Sequence, residues 1–206
     1  MKKIILSSIL AISSFAALQA QTKIPESKNE LGNNIVRFTP LMVYDVGVGL
    51  GLSYERHLDK EQRVSVVLPV DLIMIPEYNY NSSRSSNYFY FSPGFKFYPT
   101  GQKRVTYALG ANMILGFGNR YDQIQQVSQN GTIFMEQVEA KNTRLGVLVN
   151  NYLNFNIGKR FAIGLNGGLG VLYINKYEGV NYIQNFYGGD RVSITGQFAF
   201  NFGVRF

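Results

Sequence analysis

From residue 34 onward, apolar and polar side chains alternate along the chain. Val46, Val48, Leu50, Leu52 and Tyr54 fall on one face of an extended segment. Gly47, Gly49, Gly51, Ser53 and Glu55 fall on the other. A period of two marks a β-strand with one apolar and one polar face. The pattern recurs over 192–206, where Val192, Ile194, Phe198, Phe200, Phe202, Val204 and Phe206 share a face interrupted at Gly196. It recurs over 161–173 and 106–117, and less regularly over 34–44, 63–75, 87–98 and 143–157. Eight strands are predicted. The longest apolar run, 64–75, is interrupted by Asp71 and is too short for a membrane helix of about 20 residues.

The connections alternate too. Short polar turns follow strands two, four and six, at 59–62, 100–103 and 158–160. Long polar loops follow strands three, five and seven, at 76–86, 119–142 and 175–190. The first connection, at Asp45, is tight. Short turns at one end and long loops at the other match a transmembrane β-barrel. Alternation alone does not say which face points inward, because a soluble barrel also alternates but hides its apolar face.

Composition favours the inverted, membrane arrangement. The 206 residues are 46% hydrophobic, 14% aromatic and only 16% charged, against about 25% charged in ordinary soluble domains. The polar faces are rich in glycine, which suits the narrow interior of an eight-stranded barrel. Aromatic residues gather near strand ends, at Tyr44, Tyr54, Phe97, Tyr98, Tyr107, Phe117, Phe155, Phe161, Tyr173 and Phe206, where interfacial girdles are expected. Lipid offers no hydrogen-bond partner, so strand one must pair with strand eight to close the sheet. The fold class predicted is all-β, an eight-stranded antiparallel up-and-down transmembrane β-barrel over 34–206.

The N-terminus reads as an address. Lys2 and Lys3 precede an apolar stretch from Ile4 to Leu18, and Gln19-Ala20 follows. That is the layout of a signal peptide over 1–20, with a polar leader over 21–33. Without residues 1–20 the chain keeps 18 basic and 13 acidic side chains. The absence of cysteine excludes disulfides, thiol catalysis and cysteine zinc sites, and a single histidine excludes a multi-histidine metal site. No metal and no cofactor are expected. The basic side chains are dispersed, so nucleic acid is not an expected partner.

Three segments carry a family resemblance: Leu52-Ser53-Tyr54-Glu55-Arg56, the 93–99 stretch PGFKFYP, and Asn201 to Phe206. With them, 34–206 resembles the small eight-stranded outer-membrane barrels of Gram-negative bacteria, similar to OmpX and the membrane domain of OmpA, and most like the short barrels of Bacteroidota. The resemblance implies a location in the outer membrane, with outer-membrane lipid and lipopolysaccharide as surroundings. It also implies that Phe202 and Phe206, on the terminal aromatic strand, serve as a signal for the barrel-assembly machinery. It does not imply an activity, since one fold hosts many.

Candidate chemistry lies on the inward faces and in the outer loops. Arg37, Glu55, Asp71, Lys96, Arg144 and Arg205 are predicted to face the lumen. Buried charges must pair, so a plugging network is favoured over an anion-preferring water path. Glu55 with Arg37 or Arg205 is the first expected pair. His57 beside a short turn is read as an interfacial polar residue rather than the base of a lipid-modifying enzyme. The glycine-rich run 164–170 does not precede a helix, so it is no phosphate loop. Asn130-Gly131 is a strong hairpin signal and predicts that strands five and six extend beyond the membrane as a ribbon. Tyr78, Tyr80, Phe134, Tyr182, Phe186 and Tyr187 are the candidate contacts in the outer loops for an extracellular protein or surface ligand. No nucleophile, base and orienter assemble in the sequence, and no catalytic residue is predicted. A structural, adhesive or protective barrel is the leading expectation. A narrow pore, a lipid A-modifying enzyme and a soluble lipocalin-type barrel are the alternatives.

Overall fold

The computed structural model describes residues 32–75, 86–127, 133–178 and 192–206, with the side chains of 122–137 also left undescribed. The expected signal peptide, nearly all of the leader, the Asn130-Gly131 turn and the loop residues Tyr78, Tyr80, Tyr182, Phe186 and Tyr187 lie outside these residues. So does the Phe134 side chain.

The strands are β1 (Asn34–Tyr44), β2 (Gly47–His57), β3 (Val64–Ile75), β4 in two segments (Ser86–Phe91 and Gly94–Phe97), β5 (Val105–Val127), β6 (Ile133–Ile157), β7 (Phe161–Glu178) and β8 (Ser193–Arg205). Each pairs antiparallel with its sequence neighbour. Strand β8 returns to β1, from Ile35↔Arg205 to Tyr44↔Gln197. Asn34 and Phe206 exchange backbone hydrogen bonds of 3.0 and 2.9 Å. The sheet is therefore a closed eight-stranded barrel. Strand β4 is interrupted at Ser92-Pro93, where Pro93 has no N–H to give. Both of its segments still pair with β3 and β5.

The apolar face points outward. Leu50, Leu52, Phe95, Phe117, Phe198, Phe202 and Val204 are all exposed. Leu165 pairs with Phe200 on the same outer surface. The polar face points inward and is buried, with Glu55, Ser65, Thr106 and Asn150 each at 0% exposure. A soluble barrel would show the reverse.

Two irregularities reset the alternation. Between Thr39 and Met42 the register of β1 slips against both neighbours. Pro40 and Leu41 are both exposed there. Proline lacks a ladder donor and is tolerated at such a bulge. The phase flips beyond it, so Tyr44 is buried rather than part of a girdle. Tyr98 is likewise buried, on the parity of Lys96. These two of the ten expected girdle residues line the bore instead. In β7 the register slips opposite Leu145/Gly146, so Ile174 turns outward and Tyr177 inward.

Strands β5 and β6 have 23 and 25 residues, whereas a membrane strand needs about 9–11. Among the described residues the outermost pair of β5 with β4 is at Gly118 and that of β6 with β7 at Lys141. The β5–β6 ladder continues to Val127↔Ile133. The excess forms a two-stranded ribbon at the long-loop end.

Candidate functional site

The lumen holds most of the polar side chains and is built in layers. Near the short-turn end lies Glu55. It accepts hydrogen bonds from Arg37 Nε and Nη2 at 3.2 and 3.0 Å and from Lys96 Nζ at 2.8 Å. Ser65 Oγ donates to its other oxygen at 2.8 Å, and the Tyr98 hydroxyl also donates there. Register explains the convergence: Ile35 lies opposite Glu55, His57 opposite Ser65 and Ser65 opposite Lys96. One carboxylate thus serves two cations and two hydroxyls. Lys96 Nζ also lies 4.2 Å from the centre of the Tyr152 ring, a cation–π contact.

Arg205 does not reach Glu55. Its Nη2 donates to Gln102 Oε1 at 2.9 Å and Asn156 Oδ1 at 3.3 Å. His57 tilts against Tyr98 with ring centres 5.4 Å apart. Neither of its ring nitrogens has a hydrogen-bond partner among the described residues, and its backbone N–H donates to Asn33 O at 2.9 Å.

Above Glu55 runs a band of amides. Asn150 Nδ2 and the Tyr152 hydroxyl both donate to Asn112 Oδ1, at 2.9 and 3.0 Å. Gln197 Nε2 donates to Asn150 Oδ1 at 2.7 Å. Asn112 Nδ2 donates to the Ser92 carbonyl at 2.7 Å. A cavity of about 40 Å³ sits here, bordered by Asp71, Lys96, Arg37, Asn112 and Asn201. Asp71 is 2% exposed, and its Oδ2 lacks a partner among the described residues. Asp71 is thus in the lumen but outside the Glu55 cluster.

The next layer is apolar. Met42, Tyr44, Ile73, Tyr88, Tyr90, Ile114, Leu148 and Leu172 form one buried cluster. Tyr44 and Tyr90 stack with centres 4.7 Å apart and planes 8° from parallel. Gly116 makes room for Tyr90, since a Cβ there would overlap the Tyr90 ring. At the long-loop end Arg144 closes the stack. It forms an ion pair with Asp45 in the β1–β2 turn and donates to the Tyr90 hydroxyl. Thr195 Oγ1 donates to Asp45 Oδ1 at 2.9 Å, and the Asp45 N–H donates to the Gly196 carbonyl at 3.2 Å.

All six sequence-named charges are therefore buried in the bore. Arg37, Lys96 and Glu55 come together. Arg144 stands apart with Asp45, and Asp71 and Arg205 make no ion pair among those described. Sequence reasoning missed Asp45, Tyr90 and Tyr98. Parity alone could have found the two tyrosines, since both are even-numbered with Lys96. Phe202 and Phe206 lie outward on β8 and just past its end, 47% and 64% exposed. No group of three or more His, Asp or Glu side chains among the described residues is placed to hold a metal ion.

No protein-family model and no curated protein matches the chain. Solved structures do. A major outer membrane protein from Thermus thermophilus matches with a TM-score of 0.60 at 11% identity, over 84% of this chain and 99% of that one. Neisserial surface protein A matches over 84% and 95% at 13% identity, with a TM-score of 0.46. The attachment invasion locus protein Ail of Yersinia pestis matches over 84% and 95% at 13% identity, with a TM-score of 0.42. The chain has the fold of the small eight-stranded outer-membrane β-barrels, and its exterior is apolar, as a lipid-facing surface is.

Proposed function

We propose that this barrel is a non-conducting, non-enzymatic surface protein with a structural, adhesive or protective role. It acts through its long-loop end and not through its bore. The observation that carries the reading is the stacking of four layers across the lumen: Glu55 with its cations, the amide band, the Tyr44–Tyr90 apolar layer, and Arg144 on Asp45. A continuous water path would have to pass the apolar layer, where polar partners are few. The 40 Å³ cavity has room for only a few waters.

The ribbon supports the binding half of the reading. Among the described residues, the ladders to β4 and β7 give no residue pair beyond Gly118 and Lys141, while β5 and β6 stay paired with each other to Val127 and Ile133. The edges of a two-stranded ribbon are templates for an added strand. An extracellular protein is the partner this suits. Deleting 122–140 should abolish such binding while leaving the barrel folded; retained binding would count against it. Phe202 and Phe206 present their rings outward, which supports their reading as the handle for the barrel-assembly machinery.

Planar-bilayer recording tests the plug directly. The intact protein should give no stepwise conductance. Regular steps from the wild-type chain would favour the narrow pore instead.

A further inference from the structure

The three short turns share one construction. Arg63, Arg104 and Arg160 each stand immediately before the first residue of β3, β5 and β7. In each case the arginine carbonyl accepts the last hydrogen bond of the barrel: from Tyr98 N at 2.7 Å, Asn156 N at 2.8 Å and Arg205 N at 2.7 Å. The three backbones are thereby fixed at one rung, on every second strand around the barrel. The next rung inward is apolar and faces out, as the pairs Val64↔Phe97, Val105↔Phe155 and Phe161↔Val204. Phe97, Phe161 and Val204 are each about half exposed or more. Each arginine therefore stands one residue beyond the outermost lipid-facing pair of its strand.

The surrounding charge is one-sided. Lys60, Lys103 and Lys159 occupy the same turns, and Arg56 lies one residue before the end of β2. All four are exposed, as are Arg104 and Arg160. Among the described residues, the side-chain carboxylates outside the bore at this end are Asp59 and Glu61. Asp59 is occupied by the N–H groups of Arg63 and Val64. Glu61 pairs with Arg63 at 2.8 Å in the open, an exposed contact that a phosphate can replace at little cost. Among the described residues at the long-loop end the charges are mixed: Arg120, Lys141 and Lys176 stand against Asp122, Glu136, Glu139 and Glu178.

We propose that this arginine collar binds the phosphodiester headgroups of anionic phospholipids in the inner leaflet. Guanidinium matches phosphate in bidentate fashion. Flanking lysines add attraction to any anionic surface. The inference rests on the barrel spanning a membrane with its short turns toward the periplasm.

The full chain, refolded in phosphatidylcholine vesicles, tests it. Spin-labelled phosphatidylglycerol and spin-labelled phosphatidylcholine are compared as boundary lipids by electron paramagnetic resonance. One cation near an anionic headgroup is worth about five-fold in local association. Averaged over the perimeter, a phosphatidylglycerol preference of about two- to three-fold is expected at low salt. It should fall to about one in 0.5 M salt and in R63Q/R104Q/R160Q. Should that variant fold poorly, K60Q/K103Q/K159Q should cut the preference in part, and the wild-type salt dependence needs no variant. K141Q/K176Q, at the other end, should leave it unchanged. A wild-type ratio near one at low salt, or a preference surviving in R63Q/R104Q/R160Q, overturns the assignment. So does retention on peptidoglycan without lipid preference, which would move the collar to the cell wall. A chain that stays out of vesicles altogether would instead overturn the barrel reading itself.

Discussion

Glu55→Gln keeps the shape of a side chain at 0% exposure and removes its charge. Arg37 and Lys96, both 3% exposed, then remain buried without their counter-ion. Ser65 and Tyr98 lose a charged acceptor. Each ion pair is worth roughly 4 kcal/mol at a charge separation near 4 Å and an effective dielectric constant of about 20. Desolvating each ion costs several kcal/mol, so the assembled cluster stands near balance. Breaking it does not. Removing one member of a buried pair costs about 3–5 kcal/mol, and two stranded cations place Glu55→Gln at the upper end. Adding Lys96→Met should return about 1–2 kcal/mol, because one stranded charge goes with it. Urea unfolding in lipid vesicles measures both, with tyrosine fluorescence as the probe in a chain that has 14 tyrosines and no tryptophan. A loss under about 1 kcal/mol, or a double variant worse than the single, would refute the idea that Glu55 holds the cluster.

Tyr90→Ala removes the stack on Tyr44 and the partner of Arg144; it should cost about 3–5 kcal/mol and open brief conductance in planar bilayers, where the wild type is silent. Gly116→Leu should destabilise by about 1–3 kcal/mol or more, because its Cβ falls on the Tyr90 ring. Gly196→Leu, on the outer surface, should stay within about 1 kcal/mol by the same unfolding assay. Asp59 lies in an exposed turn: slight burial acts to raise its pKa, but hydrogen bonds from the Val64 and Arg63 N–H groups outweigh it and hold it below the ordinary 3.8. A lowered folded pKa means stabilisation present above the unfolded value and lost as pH falls through 3.8 and below. Asp59→Asn should therefore unfold earlier than wild type near neutral pH, and the gap should close in strong acid.

Much of the barrel was legible because lipid outside and ions inside impose opposite demands on alternate residues. Strand β1 was bounded at Asn34 and Tyr44 from alternation alone, and the six inward charges followed from parity. The failures have physical causes. Pro40 and Tyr173 insert extra residues that reverse the phase, which no fixed period anticipates. Inward apolar residues such as Ile73, Ile114 and Leu148 look like noise on a polar face, yet they form the layer that fills the upper bore. Arg144 was placed in the lumen, but its partner Asp45 is 99 residues away in the chain. Pairings across a barrel depend on strand order and tilt, which local patterns do not encode. The full length of β5 and β6 was suggested by Asn130-Gly131, because a tight turn needs paired strands on both sides.

The central claim is that hydrocarbon wets the outer face of every strand. The chain has no cysteine, so single cysteines can be placed along Ser193–Arg205, spin-labelled and tested in vesicles for collision with oxygen and with a water-soluble nickel chelate. The account predicts a period of two, with high oxygen access at Ile194, Phe198, Phe200, Phe202 and Val204 and low access at Thr195, Ala199, Asn201 and Gly203. The opposite phase, or no period at all, would contradict it.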